Sequence, residues 1–140
     1  MKNRLFKKHP VEITIDSSLI NDVAQMARSA HPKEMFAFLA SSKGERKDKW
    51  HIDEIHLQAY NASEDSASVL TWNLPMTTSI IGTIHSHPGG SVRPSEQDLH
   101  FYSKLGFVHA IIAEPYTAET TRFYDKKGTR IEVKILHDNK

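Results

Sequence analysis

Residues 83–98 read Thr-Ile-His-Ser-His-Pro-Gly-Gly-Ser-Val-Arg-Pro-Ser-Glu-Gln-Asp. The apolar residues at 80–85 predict a buried strand that runs into this stretch. Pro88 ends the strand because proline cannot donate a hydrogen bond to a neighbouring strand, and the two glycines after it favour a turn. A proline and a serine then open a helix predicted over 95–105. The stretch therefore predicts a strand–turn–helix unit in which the end of the strand meets the beginning of the helix.

Two histidines and an aspartate occupy positions in this unit that suit a metal ion. His85 and His87 are two residues apart, so on extended backbone both rings point to the same face. Asp98 lies one turn into the predicted helix, whose N-terminus directs the carboxylate back toward the end of the strand. Two neutral imidazoles and one carboxylate leave Zn²⁺ an open fourth position for water, as in catalytic sites. We therefore predict one Zn²⁺ per chain, bound by His85, His87 and Asp98.

These residues also fit purely structural roles. Ser95 and Asp98 have the spacing of a capping box, in which the carboxylate holds the start of the helix without a metal. His85 also fits a buried histidine whose ring is satisfied by hydrogen bonds. Other metal motifs fit less well, since the chain has neither an HExxH helix nor the cysteines of a zinc deaminase.

The composition excludes several classes of protein. The chain has 140 residues, the size of one domain, and its 39% hydrophobic and 25% charged residues are typical of a folded globular protein. The absence of cysteine excludes disulfides, iron–sulfur clusters and a cysteine nucleophile. A net charge of +1 indicates neither a nucleic acid nor a membrane surface as a partner. The longest apolar run, 35–40, is far shorter than the roughly 20 residues that cross a bilayer.

The N-terminal residues are basic, but no apolar core follows them, so no secretory signal is predicted. We expect 1–10 to form a flexible leader and 1–140 to form a single domain. We expect the protein to lie in the cytoplasm.

Apolar periodicity predicts two helices and six to eight strands. The chain alternates over 11–15 as a strand, and Asp16-Ser17-Ser18 supply capping oxygens for a first helix, which Pro32 ends. Further strands are predicted at 35–40, 50–57, 69–72, 107–113, 120–124 and 130–136, with a hairpin turn at 41–49 and an exposed loop at 60–68. These elements predict an α/β fold, a single domain with a mixed sheet flanked by helices. The order of the strands is not predicted.

The motif resembles that of the JAMM, or MPN-plus, zinc metalloproteases of the JAB domain family. Their signature is an upstream glutamate, then His-x-His-Pro, then a serine and an aspartate at fixed offsets. His85-Ser86-His87-Pro88, Ser95 and Asp98 match these offsets, and Glu34, just before a buried strand, matches the upstream glutamate. The resemblance covers about residues 11–125 and is nearest to stand-alone archaeal and bacterial members. It implies the JAB/MPN fold, which is similar to that of cytidine deaminases.

The resemblance also implies a role for each residue. The two histidines and Asp98 would bind zinc, which activates water and polarises the scissile carbonyl. Glu34 would be the general base that takes a proton from this water and returns it to the leaving amine, although it also fits a solvated glutamate. Ser95 would donate a hydrogen bond to the tetrahedral oxyanion, although it also fits a helix N-cap. Ser86 points to the opposite face and is expected to be structural.

Members of this family cleave the bond after the C-terminal Gly-Gly of ubiquitin or a ubiquitin-like modifier, often an isopeptide bond to lysine. A member of this type is expected to act on a small ubiquitin-like modifier or a sulfur-carrier protein. Two alternatives stay open: a peptidase that processes a sulfur-carrier protein, and a low-activity binding module of the same fold that needs a partner. The sequence makes no prediction of the oligomeric state.

The chain departs from the family pattern at two places. Ala37 stands three residues after Glu34, where the family usually has glycine. Residues 73–79 replace a full helix that usually precedes the histidine strand. Trp72, just before them, fits either the wall of a substrate groove or a packing role.

Overall fold

The computed structural model describes residues 12–43, 48–58 and 79–137. The predicted leader 1–10, the loop at 60–68, the strand at 69–72 with Trp72, and most of 73–79 lie outside these residues. The described elements are β1 (Glu12–Asp16), α1 (Ser17–Ala30), β2 (Phe36–Ser41), β3 (Lys49–Ile52), β4 (Glu54–Gln58), β5 (Ser79–His87), α2 (Glu96–Tyr102), β6 (Val108–Ala113), a 3₁₀ turn (Ala118–Thr120), β7 (Thr121–Tyr124), β8 (Arg130–Ile131) and β9 (Lys134–Leu136).

The main sheet is mixed and has the strand order β4-β2-β5-β6-β7-β8. Strands β5 and β6 are parallel, and the other neighbours in this sheet are antiparallel. Strand β5 lies between β2 and β6, so its backbone is paired on both sides. The α/β fold with a mixed sheet and helices is thus confirmed, and the histidine-bearing strand is central.

The strand predicted over 50–57 is wrong as a single element. It divides at Asp53 into β3, which pairs with β1 in a second sheet of order β3-β1-β9, and β4, which pairs with β2. The Asp53 carboxylate accepts hydrogen bonds from the Ser42 backbone N–H at 2.8 Å and from its hydroxyl at 2.6 Å. These bonds hold the chain where it passes between sheets. The predicted strand 130–136 divides in the same way into β8 and β9.

Helix α1 packs an apolar stripe onto the sheet, as its periodicity predicts. Ile20, Val23 and Ala27 are buried, and the helix ends at Ala30, ahead of Pro32. The predicted side-chain cap is wrong for Asp16: it occupies the N-cap position, but its carboxylate makes no capping bond. The carboxylate instead lies 3.1 Å from Nε2 of a histidine in β3, because β1 and β3 are paired side by side.

Close contact between the central strands depends on a glycine. A Cβ built on Gly82 of β5 would lie 1.6 Å from the carbonyl oxygen of Val108 in β6. Only a residue without a side chain fits there. Helix α2 ends at Tyr102, earlier than predicted, because residues 103–105 turn to enter β6. In the described part of the chain, neither helix is long and apolar enough to cross a membrane.

Candidate metal centre

The last residues of β5 carry both histidines of the motif. His85 and His87 project from one face of the strand, while Ser86 between them projects from the other and is fully buried. The turn after β5 contains Gly90 at φ 87°, a conformation that residues with side chains rarely adopt. This turn brings the chain back so that α2 begins beside the end of the strand.

The side chains of His85, His87 and Asp98 converge at this point. The two Nε2 atoms are 3.0 Å apart, and each lies 3.3 Å from one oxygen of the Asp98 carboxylate. One ligand atom from each residue lies within 4.8 Å of the others. His85 is buried and the other two residues are partly exposed, so the cluster is open on one side. The structure brings together the three residues that the sequence proposes as ligands.

Asp98 takes part in two sets of contacts at once. Ser95 Oγ accepts a hydrogen bond from the Asp98 backbone N–H at 3.0 Å, and the Asp98 carboxylate accepts one from the Ser95 N–H at 2.8 Å. The capping box that the sequence left as an alternative is therefore present. It does not exclude a ligand role, because the same carboxylate also faces both histidines. The cap holds the carboxylate in that orientation.

A backbone carbonyl that the sequence did not indicate orients His87. Nδ1 of His87 lies 2.7 Å from the carbonyl oxygen of Ser91. A carbonyl only accepts, so Nδ1 must carry the proton, and in the neutral ring the lone pair is on Nε2. Nε2 is the atom that faces Asp98 and His85. Hydrogen bonds of this kind typically orient metal-binding histidines, but they involve main-chain atoms and leave no trace in the sequence.

The charges within the cluster shift its pKa values. The hydrogen bond to Asp98 raises the pKa of His87, against the effect of burial. Burial by itself would raise the pKa of Asp98, but hydrogen bonds from His85 and His87 outweigh it and hold that pKa far below its usual range. Asp98 is thus an anion at any ordinary pH. An anionic carboxylate beside two imidazole nitrogens is a donor set that fits zinc.

Glu34 lies between α1 and β2, beside the cluster. Its side chain is exposed, and its charge contributes to the raised pKa of His87. No hydrogen bond or ion pair of this carboxylate occurs in the described part of the chain. Ser95 is exposed at the start of α2. The structure therefore places both predicted catalytic residues around the cluster, and their roles stay predictions.

An open groove of about 570 Å³ lies beside Glu34. Its apolar lining comes from α1, from Met35 just before β2 and from Leu57 of β4, which is 55% exposed. Its two charged residues are both acidic, Asp22 and Glu34. The full lining is Asp22, Gln25, Met26, Ser29, Ala30, Glu34, Met35 and Leu57. The groove leaves no signal in the sequence, because it forms only where α1, the segment before β2 and strand β4 meet.

Comparison with known proteins agrees with this site. A family model described as prokaryotic homologs of the JAB domain matches residues 16–126. The chain belongs to the JAB domain family. A curated relative, a probable metalloprotease of Haloferax volcanii, is 28% identical over 138 residues, which cover 95% of this chain and 84% of the relative.

Two solved structures support the same assignment. A JAB1/MPN domain protein from Archaeoglobus fulgidus is 28% identical with a TM-score of 0.71, over 89% of this chain and all of the other. A structure described as JAMM, a metalloprotease-like zinc site in the proteasome and signalosome, is 31% identical with a TM-score of 0.67, over 91% of this chain and all of the other. The family resemblance inferred from the motif is thus confirmed.

Proposed function

We propose that this JAB-family chain is a zinc-dependent peptidase or isopeptidase that cleaves the bond after the C-terminal Gly-Gly of a ubiquitin-like modifier. The observation that carries the proposal is the convergence of His85, His87 and Asp98, with Glu34 beside them. The probable metalloprotease from Haloferax volcanii and the zinc site of the JAMM structure support this chemistry.

Zinc held by His85, His87 and Asp98 would supply Lewis-acid chemistry, lowering the pKa of water and polarising the scissile carbonyl. Glu34 accepts a proton from the attacking water and then donates it to the leaving nitrogen. Among the described residues this carboxylate forms no hydrogen bond or ion pair, which suits the task because no such ion pair neutralises it. The Ser95 hydroxyl donates to the oxyanion, since its oxygen accepts the capping bond and its proton stays available.

The groove beside Glu34 supports an extended tail as the substrate. Its apolar lining, which includes Met26, Met35 and Leu57, suits aliphatic side chains that precede a Gly-Gly terminus. Asp22 adds a negative charge to the lining of the groove. Because a helix rises about 1.5 Å per residue, Asp22 lies roughly 10 Å along α1 from Ser29. That length accommodates three or so extended residues at about 3.3 Å each. A tail with a basic side chain upstream of Gly-Gly therefore fits.

The test uses zinc-loaded protein and a ubiquitin-fold protein joined to lysine through its Gly-Gly terminus. We expect the wild type to cleave after Gly-Gly and the Glu34→Gln variant to lose at least about 100-fold in kcat while it retains zinc. Glu96→Gln, an exposed glutamate of α2, is the matched control and should keep the rate. Equal rates for Glu34→Gln and the wild type would contradict the mechanism.

The same assay separates the substrates left open by the sequence. A sulfur-carrier protein extended by one residue beyond its Gly-Gly end tests the processing peptidase, which shares the chemistry and differs in the leaving group. Cleavage of neither substrate by zinc-loaded protein would contradict the proposed peptidase and favour the binding module.

A further inference from the structure

The backbone on either side of Glu34 determines where its carboxylate lies. Its carboxylate has no hydrogen bond or ion pair within the described residues, so no side-chain contact there holds it toward the histidines. On its N-terminal side, the Lys33 N–H donates to the carbonyl of Ala30 at 2.8 Å and closes a turn after α1. On its C-terminal side, Met35 is buried and makes two hydrogen bonds to the histidine strand.

Both of these bonds go to Ser86, the residue between the two histidines. The Ser86 N–H donates to the Met35 carbonyl at 3.1 Å, and the Met35 N–H donates to the Ser86 hydroxyl oxygen at 2.8 Å. Ser86 is fully buried and Met35 is 5% exposed, so water does not compete for these groups. Glu34 is thus one residue from a buried tether to the strand that carries the metal cluster.

The tether is not a regular strand pair. Strands β2 and β5 are antiparallel with Phe36 opposite His85, which places Met35 opposite Ser86. A regular pair that is hydrogen-bonded exchanges both bonds through backbone atoms. Here the Met35 N–H bonds to the serine side chain instead of the serine carbonyl, so the pairing is irregular at the residue that follows Glu34.

We propose that Ser86 is a positioning residue that sets the place of Glu34 relative to the His85–His87–Asp98 cluster. This inference rests on the proposed function, in which Glu34 is the base. Ser86 is fully buried on the face of β5 opposite the two histidines, so it acts through the Met35 backbone. Without the Ser86 hydroxyl, the Met35 N–H loses its partner in a buried environment, which costs free energy. The backbone then relaxes toward another acceptor, such as the Ser86 carbonyl, and this shift moves Glu34. A displacement of about 1 Å in a reacting group lowers rates by as much as roughly 100-fold.

The experiment compares Ser86→Ala, which removes the hydroxyl, with Ser86→Thr, which keeps it. Ser41→Ala is the matched control: Ser41 is 1% exposed, lies at the opposite end of β2, and its hydroxyl oxygen accepts the Lys43 N–H at 3.3 Å. Measured for each are kcat and KM on the Gly-Gly conjugate, zinc affinity by calorimetry, thermal stability, and hydrogen exchange of the Met35 amide.

We expect Ser86→Ala to lower kcat about 10- to 100-fold with KM and zinc affinity unchanged, and Ser86→Thr to restore most of the rate. The Met35 amide should exchange faster in Ser86→Ala only. In a Glu34→Gln background, Ser86→Ala should cause no further loss, because the two residues act through one group. A loss of thermal stability alone, equal in Ser41→Ala and Ser86→Ala, would not produce the combination of a lower kcat, an unchanged KM and faster exchange of the Met35 amide in Ser86→Ala only.

Wild-type kcat in Ser86→Ala, or a loss of zinc affinity as large as the loss of kcat, would overturn the proposal. The outcome is distinguishable from a failure of the proposed function. If Glu34→Gln is inactive and Ser86→Ala is fully active, the tether is wrong and the base stands. If Glu34→Gln is fully active, the base is wrong, while exchange of the Met35 amide still tests the tether.

Discussion

Protonation of His109 should destabilise the fold in mild acid. His109 lies in β6 and is fully buried, its ring stacks on Tyr102 with 4.2 Å between centroids, and its Nδ1 lies 2.8 Å from the Thr83 hydroxyl. Burial, reinforced by the nearby charge of His85, lowers the pKa of His109 from 6.5 to about 4. The folded protein therefore holds this ring neutral over a range in which the unfolded chain binds a proton.

Linkage between proton binding and folding gives the direction and the size of this change in stability. The free energy of unfolding increases with pH wherever the unfolded state binds more protons than the folded state. The stabilisation that comes from keeping His109 neutral is therefore fully present above pH 6.5. It decreases as the pH falls toward 4 and levels off below that value. A pKa lowered from 6.5 to about 4 corresponds to about 3 kcal/mol of unfolding free energy. Since single domains are stable by roughly 5–15 kcal/mol, this is a large share.

The assay is urea denaturation, followed by circular dichroism from pH 7 to pH 4, for metal-free wild type and His109→Gln. The glutamine does not titrate, and the other ionisable groups are common to both proteins. The difference in unfolding free energy between the two should change by about 3 kcal/mol across this range, in favour of the variant at low pH. If the unfolding free energies of the two proteins changed with pH by the same amount, a neutral, buried His109 would be refuted.

Four further predictions concern other residues. Gly82→Ala should destabilise the domain by at least about 3 kcal/mol in urea denaturation, because its Cβ would overlap the Val108 carbonyl oxygen; a smaller loss would show that β5 and β6 separate easily. Tyr102→Phe should be neutral or stabilising by up to about 1 kcal/mol, since its buried hydroxyl has no hydrogen-bond partner among the described residues, and a clear loss of stability would argue for an ordered water there. Asp98→Ala should abolish zinc binding by calorimetry and also lower helix stability by about 1 kcal/mol through the lost cap, whereas full zinc affinity would remove Asp98 from the ligand set. Asp22→Lys should raise KM about 10-fold for a tail with an upstream basic residue and leave kcat unchanged, and an equal KM would place the tail elsewhere.

The sequence determined the chemistry of the candidate site because its parts are local. The alternation of a strand places His85 and His87 on one face whatever the rest of the fold does, and a cap at the start of a helix orients Asp98 through bonds within one turn. The α/β class, both helices and the end of α1 before Pro32 also follow from short-range pattern.

Only the tertiary structure decided how distant segments meet. Glu34 and the histidines are about fifty residues apart, and the pairing of β2 with β5 brings them together, with Ser86 as the link. The division of 50–57 between two sheets is likewise invisible to periodicity, because alternation shows that a strand has a buried face but not which sheet covers it. The groove, the orienting carbonyl of Ser91 and the burial of His109 depend in the same way on main-chain positions and long-range packing, which residue identity does not encode locally.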